Sequence, residues 1–278
     1  MRLLVCQTLG RKRLAHAFAC ALSLALLGAA PRARAIDAGT PAPVERKPVV
    51  VFAASSLREG FTALGHSFTA LTGVDVQFNF AGSQELRTQL EQGAQADLFA
   101  SADLAHAAAL QQEGLARAPE NFARNALTLI VPRGNPEHVR SLADLARLDH
   151  LVIGAHEVPA GAYAEQLFAL ADSRAPGLRA KLEARVSSRE PNVRQVVAKV
   201  ALGEADAGIV YRTDARAMAD RVSEVPLPPE LELRCDDAIA ALVHAPNSAG
   251  AAAFLAFVLS PAGQAELQAR GFLAPGAP

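Results

Sequence analysis

From Val49 onward, short apolar runs alternate with amphipathic helical stripes, and this alternation limits the fold more than any other feature of the chain. Val49-Val50-Val51-Phe52-Ala53 reads as a buried strand; Leu57, Phe61, Leu64, Phe68 and Leu71 then recur at steps of four and three, a helical stripe closed by Gly73. Val74, Val76, Phe78 and Phe80 alternate as strand residues do, Gly82-Ser83 breaks the run, and Leu86 and Leu90 open another helix. The rhythm continues through Leu98-Phe99, a helix over 103–113, strands at 127–131, 151–154 and 208–210, and helices from Ala160 to about Ala171 and over 193–202. A strand at 239–243 leads to a closing helix pair, whose second member begins at Ser260-Pro261, a Ser cap followed by Pro at the first helical position. Strands separated by helices form mostly parallel sheets with crossover connections, so the fold class expected is α/β. At 278 residues, 51% of them hydrophobic, the chain is long enough for two lobes of ordinary domain size.

The formal net charge of −1 removes the basic face a nucleic-acid partner would need, but it averages two unlike parts. Residues 1–35 hold Arg2, Arg11, Lys12, Arg13, Arg32 and Arg34 and no Asp or Glu. Arg11-Lys12-Arg13 precedes an apolar run from Leu14 to Ala30, and Ala33-Arg34-Ala35 has the small-x-small spacing of a cleavage site, so this part reads as a secretory signal peptide. The run is short of the roughly 20 apolar residues of a membrane span. Without it, 27 Lys and Arg less those six leaves 21 against 28 Asp and Glu, a mature net charge of −7. Residues 36–48 read as a linker. Cys6 and Cys20 lie in the signal, which leaves Cys235 as a free, buried thiol with no partner for a disulfide or a metal.

Familiar catalytic signatures are missing: there is no Gly-x-Ser-x-Gly, Gly-x-Gly-x-x-Gly, Gly-Lys-Ser/Thr or His-Glu-x-x-His, and the histidines at 66, 106, 138, 150, 156 and 244 lack metal-ligand spacing. What recurs instead is a strand end or loop of small residues opening into a helix: Ala54-Ser55-Ser56-Leu57, Ala81-Gly82-Ser83, Val158-Pro159-Ala160-Gly161 and Pro191-Asn192-Val193-Arg194. A helix start carries unpaired backbone N–H groups and the positive end of the helix dipole. Taken singly, each is an ordinary cap; several facing one cleft would hold an anion without any charged side chain.

In order along the chain, these segments resemble the periplasmic molybdate-binding proteins of ABC importers, of the type II periplasmic binding protein family. The resemblance runs from about Val49 to Phe272 and includes Val-Phe-Ala-Ala-Ser-Ser-Leu at 51–57, Ala-Asp-Leu-Phe-Ala-Ser-Ala-Asp at 96–103, His-Glu-Val-Pro-Ala-Gly at 156–161, Pro-Asn-Val-Arg at 191–194, Gly-Ile-Val-Tyr at 208–211 and Leu-Ser-Pro-Ala-Gly-Gln at 259–264. It implies two α/β lobes, 49–126 plus 238–278 and 127–237, each a mostly parallel sheet flanked by helices, joined by crossover strands and closing on a hinge. It further implies an oxyanion held by the hydroxyls of Ser56 and Ser83, the amides of Ala160 and Val193 and the hydroxyl of Tyr211, with no direct metal ligand and no cofactor. The expected ligand is molybdate, with tungstate, delivered by a periplasmic monomer to the permease of an inner-membrane importer. The chain departs from the family pattern at Ser55, where Ala is common, at Gly82, where Ser is common, and at Arg212, where a small residue is common.

Two alternatives stay open at this level. A site of donors only suits a fully deprotonated tetrahedral dianion better than a protonated phosphate, which needs an acceptor, but it does not separate molybdate from sulfate, and Glu59 and Glu85 stand near the helix starts. Ferric ion is disfavoured, since Tyr163 and Tyr211 are the only tyrosines and lie far apart in sequence. A secreted hydrolase with Ser56 as nucleophile would need a base, and the one histidine beside any of these helix-start motifs is His156, next to Glu157.

Overall fold

The computed structural model describes residues 47–276, so the expected signal peptide and most of the linker lie outside the described residues. Strand β1 (Val49–Ala54) passes through a 3-10 turn at Ser55–Leu57 into helix α1 (Arg58–Thr72); β2 (Val76–Ala81) leads to α2 (Ser83–Glu91) and β3 (Leu98–Ser101) to α3 (Leu104–Gln112). After β4 (Glu120–Asn125) the single residue Ala126 precedes β5 (Leu127–Pro132), which pairs in a different sheet. The strand-to-helix sequence then repeats: β6 (Leu151–Gly154) feeds α4 (Pro159–Arg174), α5 (Leu178–Glu183) precedes β7 (Val186–Glu190), which feeds α6 (Val193–Ala201), and β8 (Ala207–Tyr211) feeds α7 (Arg212–Ala217). Strand β9 (Val222–Val225) is the last of this sheet; the chain returns to the first through β10 (Cys235–Ala241) and ends in α8 (Ser248–Leu259) and α9 (Pro261–Ala269).

The strand orders are β2-β1-β3-β10-β4 and β7-β6-β8-β5-β9. In each sheet the fourth strand is antiparallel to both neighbours, so four of the five strands point one way and both sheets are mixed. The reversed strands, β5 and β10, are those by which the chain enters each sheet from the other. Parallel pairing needs a long crossover, which every other main connection supplies with a helix.

Helix α1 buries Phe61, Leu64 and Phe68. Phe61 meets Phe122 of β4 edge-on at 5.4 Å and Phe68 meets Phe254 of α8 at 5.2 Å, the geometry that aromatic quadrupoles favour. The stripe stops one turn before the helix does: Leu71 is 74% exposed, and Gly73 closes the helix in the left-handed region with its N–H on the Thr69 carbonyl. Strand β10 starts at Cys235, ahead of the apolar run at 239–243, because Cys235, Asp236 and Asp237 pair with β4 before a bulge at Asp237/Ala238.

Candidate functional site

The carboxyl ends of β1, β2 and β3 from one sheet, and of β6, β7 and β8 from the other, open on the same cleft, the place where open α/β sheets bind ligands. Ser56 follows β1, Ser83 follows β2, Ala160 lies in the first turn of α4, Val193 opens α6 and Tyr211 ends β8; all five line this one cleft and are 1–3% exposed.

Local sequence sets what each presents. The Ser56 Oγ is buried with no hydrogen-bond partner. Ser83 Oγ accepts the Ala102 N–H at 3.2 Å, which leaves its own proton to donate. Pro159 at the first helical position has no N–H, and no side chain caps α4, so the first donor of that helix is the Ala160 amide. Asn192 caps α6 through the Gln195 N–H at 3.2 Å, two residues beyond the Val193 amide. The Tyr211 hydroxyl donates to the Ala102 carbonyl at a long 3.5 Å, and burial raises its pKa well above the usual phenol value, so it remains a neutral donor. Four helix starts and the neutral hydroxyl residues Ser55, Ser56, Ser83 and Tyr211 thus line one small space.

Among the described residues, none lining the cleft is charged. Glu85 turns back to accept the Gly82 N–H at 2.9 Å, and Glu59 pairs with Arg194. The acceptor that a protonated phosphate would require is therefore not supplied by either. Tyr163 and Tyr211, distant in sequence, meet edge to face with ring centroids 6.4 Å apart, but burial raises both phenols, which opposes the tyrosinate form a ferric ion would take. Among the described residues no three His, Cys, Asp or Glu side chains cluster as a metal site. His156 bonds Glu165 at 2.8 Å, with 78% of its side chain exposed, and neither it nor Glu157 lines the cleft. Arg212 is exposed and pairs with Glu224 at 3.3 Å, and Cys235 is buried and free.

Contacts across the cleft hold it closed. Gln84 Nε2 donates to the Pro191 carbonyl at 2.7 Å, and His106 Nε2 lies 3.0 Å from the Glu157 carbonyl. Gly82 permits the first contact: a Cβ there would sit 2.6 Å from the Pro191 oxygen and as close to the Gln84 amide. The departure from Ser at this position thus accompanies a bridge made by Gln84, which sequence reasoning did not single out.

Asp214, also missed, is fully buried with Oδ1 2.9 Å from Arg194 Nε. Burial raises its pKa to about 6 even though Arg194 opposes the shift. Because the native value lies above the unfolded one, Asp214 stabilises the fold below about pH 4, and that contribution is lost as pH rises through about 6. Lowering the pH from 7 to 5 is expected to improve the unfolding free energy of the wild type relative to Asp214→Asn by about 1 kcal/mol, read by urea unfolding at both values. A difference independent of pH would remove Asp214 as the source.

The profile of the bacterial extracellular solute-binding protein family matches residues 49–273. The molybdate-binding protein ModA of Mycobacterium tuberculosis is 40% identical over 230 residues, covering 82% of this chain and 85% of the relative. The solved periplasmic molybdate-binding protein of Azotobacter vinelandii superposes with a TM-score of 0.72 at 22% identity, over 82% of this chain and all of that one. The sulfate-binding protein SubI of Mycobacterium tuberculosis gives 0.73 at 20% identity, over 82% of this chain and 86% of its own. The two structural likenesses establish the fold and do not choose between anions.

Proposed function

The chain belongs to the bacterial extracellular solute-binding protein family, and we propose that it captures molybdate, and tungstate with it, for delivery to an ABC-type importer in the inner membrane. The observation that carries the reading is the closed cleft into which strand ends from both sheets bring neutral donors and no carboxylate. A dianion there receives hydrogen bonds from Ser56, Ser83 and Tyr211 hydroxyls and from the Ala160 and Val193 amides, with helix dipoles behind them. In a water-poor cleft these bonds strengthen, and since donors come from both sides, the ligand favours the closed form over any open one.

The cationic, apolar N-terminal segment supports export to the periplasm. An acidic mature chain gives a dianion no help from its overall field, so attraction has to be local. Binding without turnover fits a Ser56 that has no base within reach.

The choice of anion rests on the 40% identity to a molybdate-binding relative, while the shared fold of the sulfate-binding protein keeps sulfate as the second reading. Calorimetric titration of the mature protein with molybdate, tungstate, sulfate and phosphate separates them: molybdate and tungstate are expected to bind tightly and phosphate hardly at all. Sulfate binding more tightly than molybdate would overturn the assignment.

A further inference from the structure

Among the described residues, a single ion pair joins the element group of the first sheet to that of the second: Arg194, one residue beyond Val193 on α6, with Glu59 in the first turn of α1. The other ion pairs lie within one group, including the 2.9 Å contact that binds the same guanidinium to Asp214 of α7. The three residues differ in burial in a way that assigns them different parts. Asp214 is fully buried and Arg194 mostly so, and both belong to the same half, so their contact does not depend on the other half. Glu59 is 43% exposed and comes from the opposite side, so its pairing forms only when the halves meet. With two carboxylates on one guanidinium, Arg194 has no charge to spare for an anion in the cleft, and it does not line that space.

We propose that Arg194 is a positioning residue that latches the closed cleft, held ready by Asp214 and engaged by Glu59 from the other half. Being next to Val193 in the first turn of α6, the latch fixes the amide of Val193 over the ligand. This rests on the anion-binding reading only for what the latch retains; the latch itself is a property of closure.

The test compares the wild type with Glu59→Gln, a near-isosteric change at a half-exposed side chain outside the cleft. In stopped-flow displacement of molybdate, the variant is expected to release the anion about two- to fivefold faster, the range of a partly exposed pair, with the association rate little changed. The wild-type release rate is also expected to rise with added NaCl, and the variant to show a weaker dependence, since it lacks the screened ion pair. Equal release rates and equal salt dependence would overturn the latch. If the wild type binds none of the tetrahedral oxyanions, the functional proposal falls and the latch is decided in the ligand-free protein. Spin labels at Gln92→Cys and Ala180→Cys, exposed positions on opposite halves, then report the separation, Cys235 being buried. A closed fraction that Glu59→Gln reduces supports the latch, and identical distance distributions overturn it.

Discussion

Ser56→Ala is expected to weaken molybdate binding by about 2 kcal/mol, or about 30-fold, while leaving the unfolding free energy of the ligand-free protein unchanged or slightly raised. The two halves of this expectation come from one observation. The Ser56 hydroxyl is buried and bonded to nothing, so the ligand-free fold loses no hydrogen bond when it is removed and sheds the cost of an unsatisfied polar atom. A bound dianion, by contrast, loses a charge-assisted bond in a site that water does not reach to replace it. Ser83→Ala should behave differently: its oxygen accepts the Ala102 N–H, so the substitution strands a buried amide and lowers stability by about 1–3 kcal/mol as well as affinity. Calorimetry and urea unfolding on both variants separate the cases. Undiminished affinity in Ser56→Ala would refute the site, and a stability loss equal to that of Ser83→Ala would mean that the Ser56 hydroxyl serves the fold instead.

The contrast between these serines shows where sequence reasoning stops. That small residues at helix starts could gather around an anion was legible, since the sequence shows the starts and the chemistry of their amides is the same in any fold. That Ser83 is already engaged and Ser56 is not depends on Ala102, which comes from the end of β3. Strands were legible where an apolar run or a clean alternation survives, as it does even in the half-exposed edge strand β2. The strands β4, β7 and β9 passed unrecognised, and all three are sheet edges, with exposed or half-exposed residues such as Glu120, Arg189 and Glu224 breaking the apolar pattern. The central strands β1, β3, β6 and β8, covered on both faces, stood out as continuous apolar runs. The same holds for charge. Arg194 and Asp214 belong to different helices, and neither stands out in the sequence for its charge; only the approach of α6 to α7 brings them together, and burial lifts the carboxyl to about 6 against the opposing pull of Arg194. Tyr163 and Tyr211 likewise became neighbours through α4 and β8, and burial, which no local pattern announces, keeps both neutral.

Gly161→Ala is expected to reduce stability by about 2–3 kcal/mol and to weaken anion binding at least tenfold, by about 1.4 kcal/mol or more. Gly161 does not adopt a positive φ, so conformational freedom is not what the position demands. Its requirement is space: an added Cβ would lie 2.0 Å from the Ala155 carbonyl oxygen and 2.4 Å from that of Gly154. Both obstacles are backbone at the end of β6 and cannot rotate aside, so the start of α4 has to move away from the strand. The Ala160 amide, one residue earlier, moves with it, and a hydrogen bond to a fixed anion loses strength steeply as its geometry degrades. Gly93→Ala is the matching control. That residue has φ +93° with nothing within 4 Å of an added Cβ, so its substitution is expected to cost about 1 kcal/mol in backbone strain and nothing in affinity. If both variants lost stability and neither lost affinity, the start of α4 would supply no donor to the ligand, and the closed cleft would have to hold its anion from the first sheet, α6 and Tyr211 alone.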